Sequence, residues 1–290
     1  MAIAIRERDA TRPAKASEVL LRLLADPDRY PIGADDVAVI VAHPDDETVG
    51  CGAQLHRLQQ VTVIVVTDGA PRAGGDARSN GYDNVAAYAA ARSQELASAL
   101  AIANVPRLRL VELGFADQSA GQQLVAIARK IDSLITGRDI KVVLTHAFEG
   151  GHPDHDATAL AVHAVATLKR RRGQELAVIE MPFYHADGEG WVTQRFSRCP
   201  GPPAIAARLN DFEQAMKREM LAAHKTQHDT LAPFDAELEC FRRAPHYDFS
   251  SLPNGGRLLY ERYDWGMTSG RWLTLANKAL RDLGLANRWH

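Results

Sequence analysis

The chain is poor in several things at once, and each shortage closes a class of function. It has three cysteines in 290 residues, Cys51, Cys199 and Cys240, with no C-x-x-C spacing. That excludes a disulfide-stapled scaffold and fits the reduced thiols of a cytoplasmic protein. No apolar run approaches the roughly 18 residues a membrane span needs. Arg6, Glu7, Arg8 and Asp9 stand where a signal peptide would carry its apolar core. Charge of one sign is missing too. A formal net charge of −2 gives no electrostatic footprint for nucleic acid or an anionic membrane. There is no G-x-S-x-G elbow and no cysteine with a paired histidine motif, so nucleophilic catalysis has no candidate. The expected partner is a small molecule, and nothing in the sequence supports a homo-oligomer.

What is present is alternation. Residues 37–41, 61–67, 107–112, 141–145 and 175–181 read as short strands. Helical spacing is expected over 16–24 (with Ser17 as a cap), 54–59, 84–103, 122–135, 156–172 and 205–225. Residues 1–15 are polar and read as frayed, and the Gly-, Arg-, Asp- and Asn-rich stretch 70–83 reads as a mobile loop. This rhythm predicts an α/β fold, a Rossmann-like mostly parallel sheet with helices on both faces, followed by an irregular, aromatic-rich C-terminal extension. The expected division is an N-terminal segment with one helix (1–35), the core (36–200) and an extension completing the same domain (201–290). The aromatics of the extension are read mainly as core, with a sugar-stacking surface as the other option.

The chemistry sits at two strand ends. The β-branched run 37–41 passes straight into His43-Pro44-Asp45-Asp46-Glu47. Pro44 stops the ladder, leaving one imidazole and three carboxylates at a strand's carboxyl end, where open α/β sheets place ligands. Such a turn is electrostatically costly without a cation. The strand 141–145 delivers Gly150-Gly151 and then His152-Pro153-Asp154-His155. If the two strands are neighbours, His43, Asp46 and His155 can hold one metal with a position left open; the alternative is two unrelated polar loops.

These paired motifs resemble the LmbE-like (PIG-L) superfamily of zinc-dependent N-deacetylases, over roughly residues 36–230. The resemblance implies His43, Asp46 and His155 as zinc ligands, Asp45 as general base, and His152 as the residue assisting at the oxyanion or leaving group. It implies Zn²⁺ as cofactor; the ligand set also suits Fe²⁺ or another divalent metal. Some members carry an oxyanion-assisting tyrosine two residues before the second motif's first histidine. Gly150 stands there, so that role passes to His152, to another residue, or goes unfilled.

Further candidates are weaker. Arg92 and Glu95, three apart on a helix, read as a solvated ion pair or, by the resemblance, with Arg92 facing substrate. Glu149 and His224 are candidates for substrate contact. Asp154 either orients a histidine or caps the following helix. His224 and His228 have i,i+4 spacing but lack the glutamate of H-E-x-x-H. His56, His163 and His185 are left as structural or surface residues. Gly50 and Gly52 lack the third glycine of a dinucleotide fingerprint.

The expected function is hydrolytic removal of an acetyl group from an N-acetylated amino sugar or glycoconjugate, by metal-activated water with an Asp base. The alternatives are an amidase acting on a non-sugar acyl amide with the same site, and a non-catalytic metabolite-binding protein on the same scaffold.

Overall fold

A computed structural model of the chain describes residues 3–4, 13–197, 201–263 and 265–286. Most of the expected frayed end lies outside them, as do Cys199 and Pro200. The core starts with Val37–Val41 (β1), in which all five residues are buried. Successive side chains go to opposite faces, so Ala38 and Ile40 enter one apolar layer while Val37, Val39 and Val41 enter the other. Thr62–Thr67 (β2), Leu110–Phe115 (β3), Val142–His146 (β4) and Ala177–Met181 (β5) run parallel to it, in the order β5-β4-β1-β2-β3. Central strands covered on both faces need continuous apolar runs, and β1, β2 and β4 have them.

Pro13–Ala25 (α1), Asp46–Leu55 (α2), Val85–Ile102 (α3) and Asp211–Ala223 (α6) cover one face. Leu124–Gly137 (α4), Pro153–Arg171 (α5) and Ser269–Asp282 (α7) cover the other. This is the expected α/β architecture. Among the described residues no helix is long and apolar enough to cross a membrane.

Several local expectations are corrected. Residues 205–225 are not one helix: Ala204–Arg208 is a strand, paired antiparallel with Leu238–Arg243, which pairs antiparallel with β5. The extension therefore widens the sheet before it adds helices. α6 starts only at Asp211, where Asn210 and Glu213 form a reciprocal capping box. Ser17 lies inside α1 and does not cap it. The stretch 70–83 holds a helical turn, Gly75–Ser79, and buries Ala70 and Ala77 against Tyr88.

α2 begins at Asp46 and ends at Leu55, with a break at Cys51 (φ −149°, ψ 21°). A buried ion pair is spliced into that break. Lys217 Nζ donates to the Val49 carbonyl (2.9 Å), Glu239 Oε1 accepts the Ala53 N–H (2.9 Å), and the two side chains meet at 2.8 Å. Both ends of the missing i→i−4 bond are thus satisfied by side chains. Of the C-terminal aromatics, Phe241, Phe249, Tyr260 and Trp272 are core, Tyr263 is exposed, and Trp265 is half-buried beside the site.

Candidate metal and catalytic centre

β1 pairs with β2 on one side and β4 on the other. The chain leaves these neighbouring strands toward opposite faces, which opens a crevice beyond their carboxyl ends. From β1 come His43, Asp45 and Asp46. After β4 come His152, the N-cap of α5, and His155 in that helix's first turn. They line one cavity of about 250 Å³ with Arg92, Asp76, Asp117 and Tyr184.

The donor atoms of the three expected ligands face one another. His43 Nδ1 is 3.2 Å from Asp46 Oδ2 and 3.2 Å from His155 Nε2, and His155 Nε2 is 3.2 Å from Asp46 Oδ1. The His43 backbone N–H donates to Asp46 Oδ2 (2.7 Å), fixing that carboxylate at the start of α2. Burial opposes ionisation of Asp46, but His155 and His146 beside it hold its carboxyl well below the usual range. Behind the ring, His43 Nε2 faces Asp117 Oδ1 (3.2 Å) and Asp154 Oδ2 (3.5 Å). Burial disfavours the His43 cation, yet these carboxylates raise its pKa well above the ordinary histidine value.

His146, the last residue of β4, also approaches Asp46 (3.5 Å) and stacks on His155 with ring centroids 4.1 Å apart. Its Nε2 already accepts the Ala42 N–H (2.8 Å), so that lone pair is taken. Burial and the neighbouring His155 push its pKa well down, keeping it neutral.

Asp45 is the N-cap of α2 at φ 139°, a left-handed backbone that a non-glycine residue adopts at a cost of about 1–3 kcal/mol. Arg92 holds it there. The guanidinium donates to the Gly69 carbonyl (2.6 Å), the Pro44 carbonyl (2.8 Å) and Asp45 Oδ2 (2.8 Å). Gly69 must be glycine: its φ is +62°, and a Cβ there would lie 2.5 Å from Arg92. Burial drives the Asp45 carboxyl up, Arg92 opposes it, and the result is about 6.

His152 is the N-cap of α5, its Nδ1 accepting the Asp154 N–H (3.1 Å). That bond leaves the proton of the neutral ring on Nε2. Burial, then the nearby His43 and His155 charges, lower its pKa well below the usual value. Asp154 does not cap the helix. It accepts the Gln118 (2.7 Å) and Ala120 (3.0 Å) N–H groups and faces His43, tying the loop after β3 to the centre.

The weaker candidates fare differently. Arg92 lines the cavity but is almost fully engaged with Asp45 and two carbonyls, and it is not paired with Glu95. Glu95 instead accepts from Thr226 N–H (3.1 Å) and its hydroxyl (2.7 Å). Glu149 is buried outside the cavity lining, where its Oε1 accepts the Phe183 (2.7 Å) and Tyr184 (3.1 Å) N–H groups. His224 is also buried, 3.3 Å from Thr48 Oγ1 and 3.6 Å from Glu47 Oε1. His228 is on the surface beside Asp229, and His224 does not share its helix, so their spacing builds nothing.

Sequence reasoning missed Asp117, Asp76, Tyr184 and Trp265. Asp117 follows the end of β3 and Tyr184 follows the end of β5, so the rule that ligands gather at strand ends covered both. Asp76 comes from the short helical turn Gly75–Ser79 and Trp265 from an irregular segment, and no periodicity in the sequence predicts the path of either.

Residues 38–166 match the family model described as PIG-L: GlcNAc-PI de-N-acetylase. No curated protein matches the chain. Among solved structures, the zinc-inhibited form of teicoplanin deacetylase Orf2 is similar at 18% identity, over 71% of this chain and 96% of that one, with a TM-score of 0.54. The A40926 pseudoaglycone deacetylase Dbv21 is similar at 21% identity, over 73% and 99%, with a TM-score of 0.55. N,N'-diacetylchitobiose deacetylase from Pyrococcus horikoshii is similar at 17% identity, over 82% and 95%, with a TM-score of 0.55. At these identities the likeness is one of fold.

Proposed function

Because residues 38–166 of the chain belong to the PIG-L family, we propose that it is a metal-dependent N-deacetylase that hydrolyses the acetamide of an amino sugar or glycoconjugate. The observation that carries this reading is the triangle of His43 Nδ1, Asp46 carboxylate and His155 Nε2, each pair 3.2 Å apart, with Asp45 beside it. Two ring nitrogens and the two oxygens of one buried carboxylate converge here, a donor set that suits a divalent cation. Donors about 2.0–2.1 Å from a tetrahedral zinc stand about 3.3–3.4 Å from one another, so the set fits that ion. When bound, the ion supplies Lewis acidity and lowers the pKa of water toward about 7.

The chain's own residues do the rest. Asp45, poised near neutrality, takes the proton of the attacking water and returns it to the departing nitrogen. Arg92 holds Asp45 in the orientation that this transfer needs. The Nε2–H of His152 donates toward the developing oxyanion. Asp117 and Asp154 steady His43 from behind.

The walls favour a sugar. Asp76, Asp117 and Gln118 offer acceptors and donors for hydroxyls, while Val49, Leu231, Phe234 and Trp265 give the cavity apolar surface. A pyranose has a hydroxyl edge and an apolar face. The similar structures are named as deacetylases of teicoplanin, A40926 pseudoaglycone and N,N'-diacetylchitobiose.

The test joins metal analysis of the purified protein to acetate release from a panel of N-acetylated sugars. One equivalent of zinc and chelator-sensitive acetate release are expected. Asp45→Asn should keep the metal and lose most turnover, while His155→Ala should lose the metal. Bound metal with cleavage only of non-sugar amides would replace the sugar reading by the amidase. No metal after zinc is added back would overturn the proposal.

A further inference from the structure

We propose that Tyr184 is a catalytic residue whose phenol donates a hydrogen bond to the oxyanion formed at the acetyl carbon; this rests on the deacetylase reading. β5 ends at Met181, and the chain continues through Pro182 and Phe183 over the crevice to Tyr184, the first residue of a hairpin strand, Tyr184–Asp187. Its backbone is clamped twice. Glu149 Oε1 accepts its N–H (3.1 Å), and Gly151 packs so closely that a Cβ there would stand 1.9 Å from the Tyr184 carbonyl oxygen. The loop that leads to His152 and His155 therefore fixes where Tyr184 sits.

Tyr184 lines the same cavity as His43, Asp45, Asp46 and His155, and its ring packs against His155. Its centroid is 5.3 Å from that of His155, and on its other sides it meets Trp191 (5.3 Å) and Phe234 (6.1 Å). Two other tyrosine hydroxyls near the core are engaged: Tyr88 accepts from Gln227 (2.6 Å) and Tyr247 accepts from Arg242 (3.1 Å). The Tyr184 hydroxyl forms no hydrogen bond with any described residue. Gly150, at φ +73°, brings no side chain to the cavity from the facing loop. A phenol, with an ordinary pKa of about 10, is protonated at neutral pH, as a donor must be.

In the step itself the water oxygen bonds to the acetyl carbon and its proton goes to Asp45. The carbonyl π pair moves onto oxygen, which accepts from Tyr184 as well as His152. When the C–N bond breaks, that pair reforms the carbonyl and the Asp45 proton goes to nitrogen, giving acetic acid and the amine, which exchange the acid's remaining proton to leave acetate and the ammonium form. Tyr184 keeps its proton throughout.

The test is Tyr184→Phe, which keeps the ring and its contacts and removes only the hydroxyl. With the acetylated sugar that the wild type turns over best, kcat should fall on the order of 100-fold with KM nearly unchanged. Bound metal and melting temperature should match the wild type. A phosphonamidate analogue with a tetrahedral anionic centre should lose affinity by a comparable factor. Undiminished kcat and inhibitor affinity in Tyr184→Phe, beside an active wild type, would overturn this proposal alone. A wild type with no acetate release from any substrate would overturn it together with the deacetylase reading.

Discussion

Replacing Arg92 with methionine removes one charge and three hydrogen bonds from a site where the consequences can be worked out. The guanidinium is bonded to the Gly69 and Pro44 carbonyls and to Asp45 Oδ2, at 2.6, 2.8 and 2.8 Å. Burial lifts the Asp45 carboxyl and Arg92 is the largest opposing influence, the balance being about 6. A base with that pKa is about nine-tenths ionised at pH 7. An adjacent opposite charge lowers a carboxyl by roughly 1–3 units, so its loss moves Asp45 to roughly 7–9. The ionised fraction at pH 7 then drops to between about one half and about one hundredth. kcat/KM at pH 7 should fall in proportion, and the acid limb of the pH profile should move up by roughly 1–3 units. Arg92→Lys, which retains the charge but not the fork, should move the limb less. Stability must be read alongside, since an unpaired buried partner costs about 3–5 kcal/mol. An acid limb at the same pH in Arg92→Met as in the wild type would refute the electrostatic account. A loss of rate that is flat across pH would leave Arg92 only a positional role.

Two predictions concern stability. Burial pushes the Asp156 carboxyl up to about 8, although it accepts the Glu149 and Gly150 N–H groups. Because the folded value lies above the unfolded one, its contribution is full below about pH 4 and is lost as pH rises to about 8, at up to about 1.4 kcal/mol per pH unit. Asp156→Asn keeps an acceptor for both N–H groups, so urea midpoints should decline less between pH 5 and 8 than in the wild type; an equal decline would dismiss Asp156 as the source. At the α2 break, Lys217→Met leaves Glu239 buried and unpaired, for a loss of about 3–5 kcal/mol by chemical denaturation. Lys217→Met with Glu239→Gln should recover part of that loss, because glutamine still accepts the Ala53 N–H, and no recovery would mean that the cost is packing.

The sequence alone determined the parts that local rules govern. β-branched runs interrupted by proline or glycine gave the central strands, because a strand covered on both faces has to be apolar along its length. His43, Asp46 and His155 stood out because acidic and imidazole side chains sit at the ends of two such runs, a placement with a steep electrostatic cost unless something offsets it. Where competing local patterns had similar strength the reading failed. Residues 204–208 carry an apolar pattern that suits a helix or a strand, and only pairing with 238–243 made them a strand.

What tertiary structure decided is which side chains meet. No spacing told that β1 and β4 are neighbours, that Arg92 grips Asp45 from 47 residues away, or that Glu95 caps the turn at Thr226. Glu149 and His224 have the chemistry of substrate ligands, but both are buried outside the cavity lining, Glu149 Oε1 accepting the Tyr184 N–H and His224 facing Glu47. Asp117, Tyr184 and Trp265 reach the cavity from three separate segments. Local propensity fixes an element from a dozen neighbouring residues. A site is assembled from contacts across the chain, and these depend on strand order and on where each buried polar atom finds its partner.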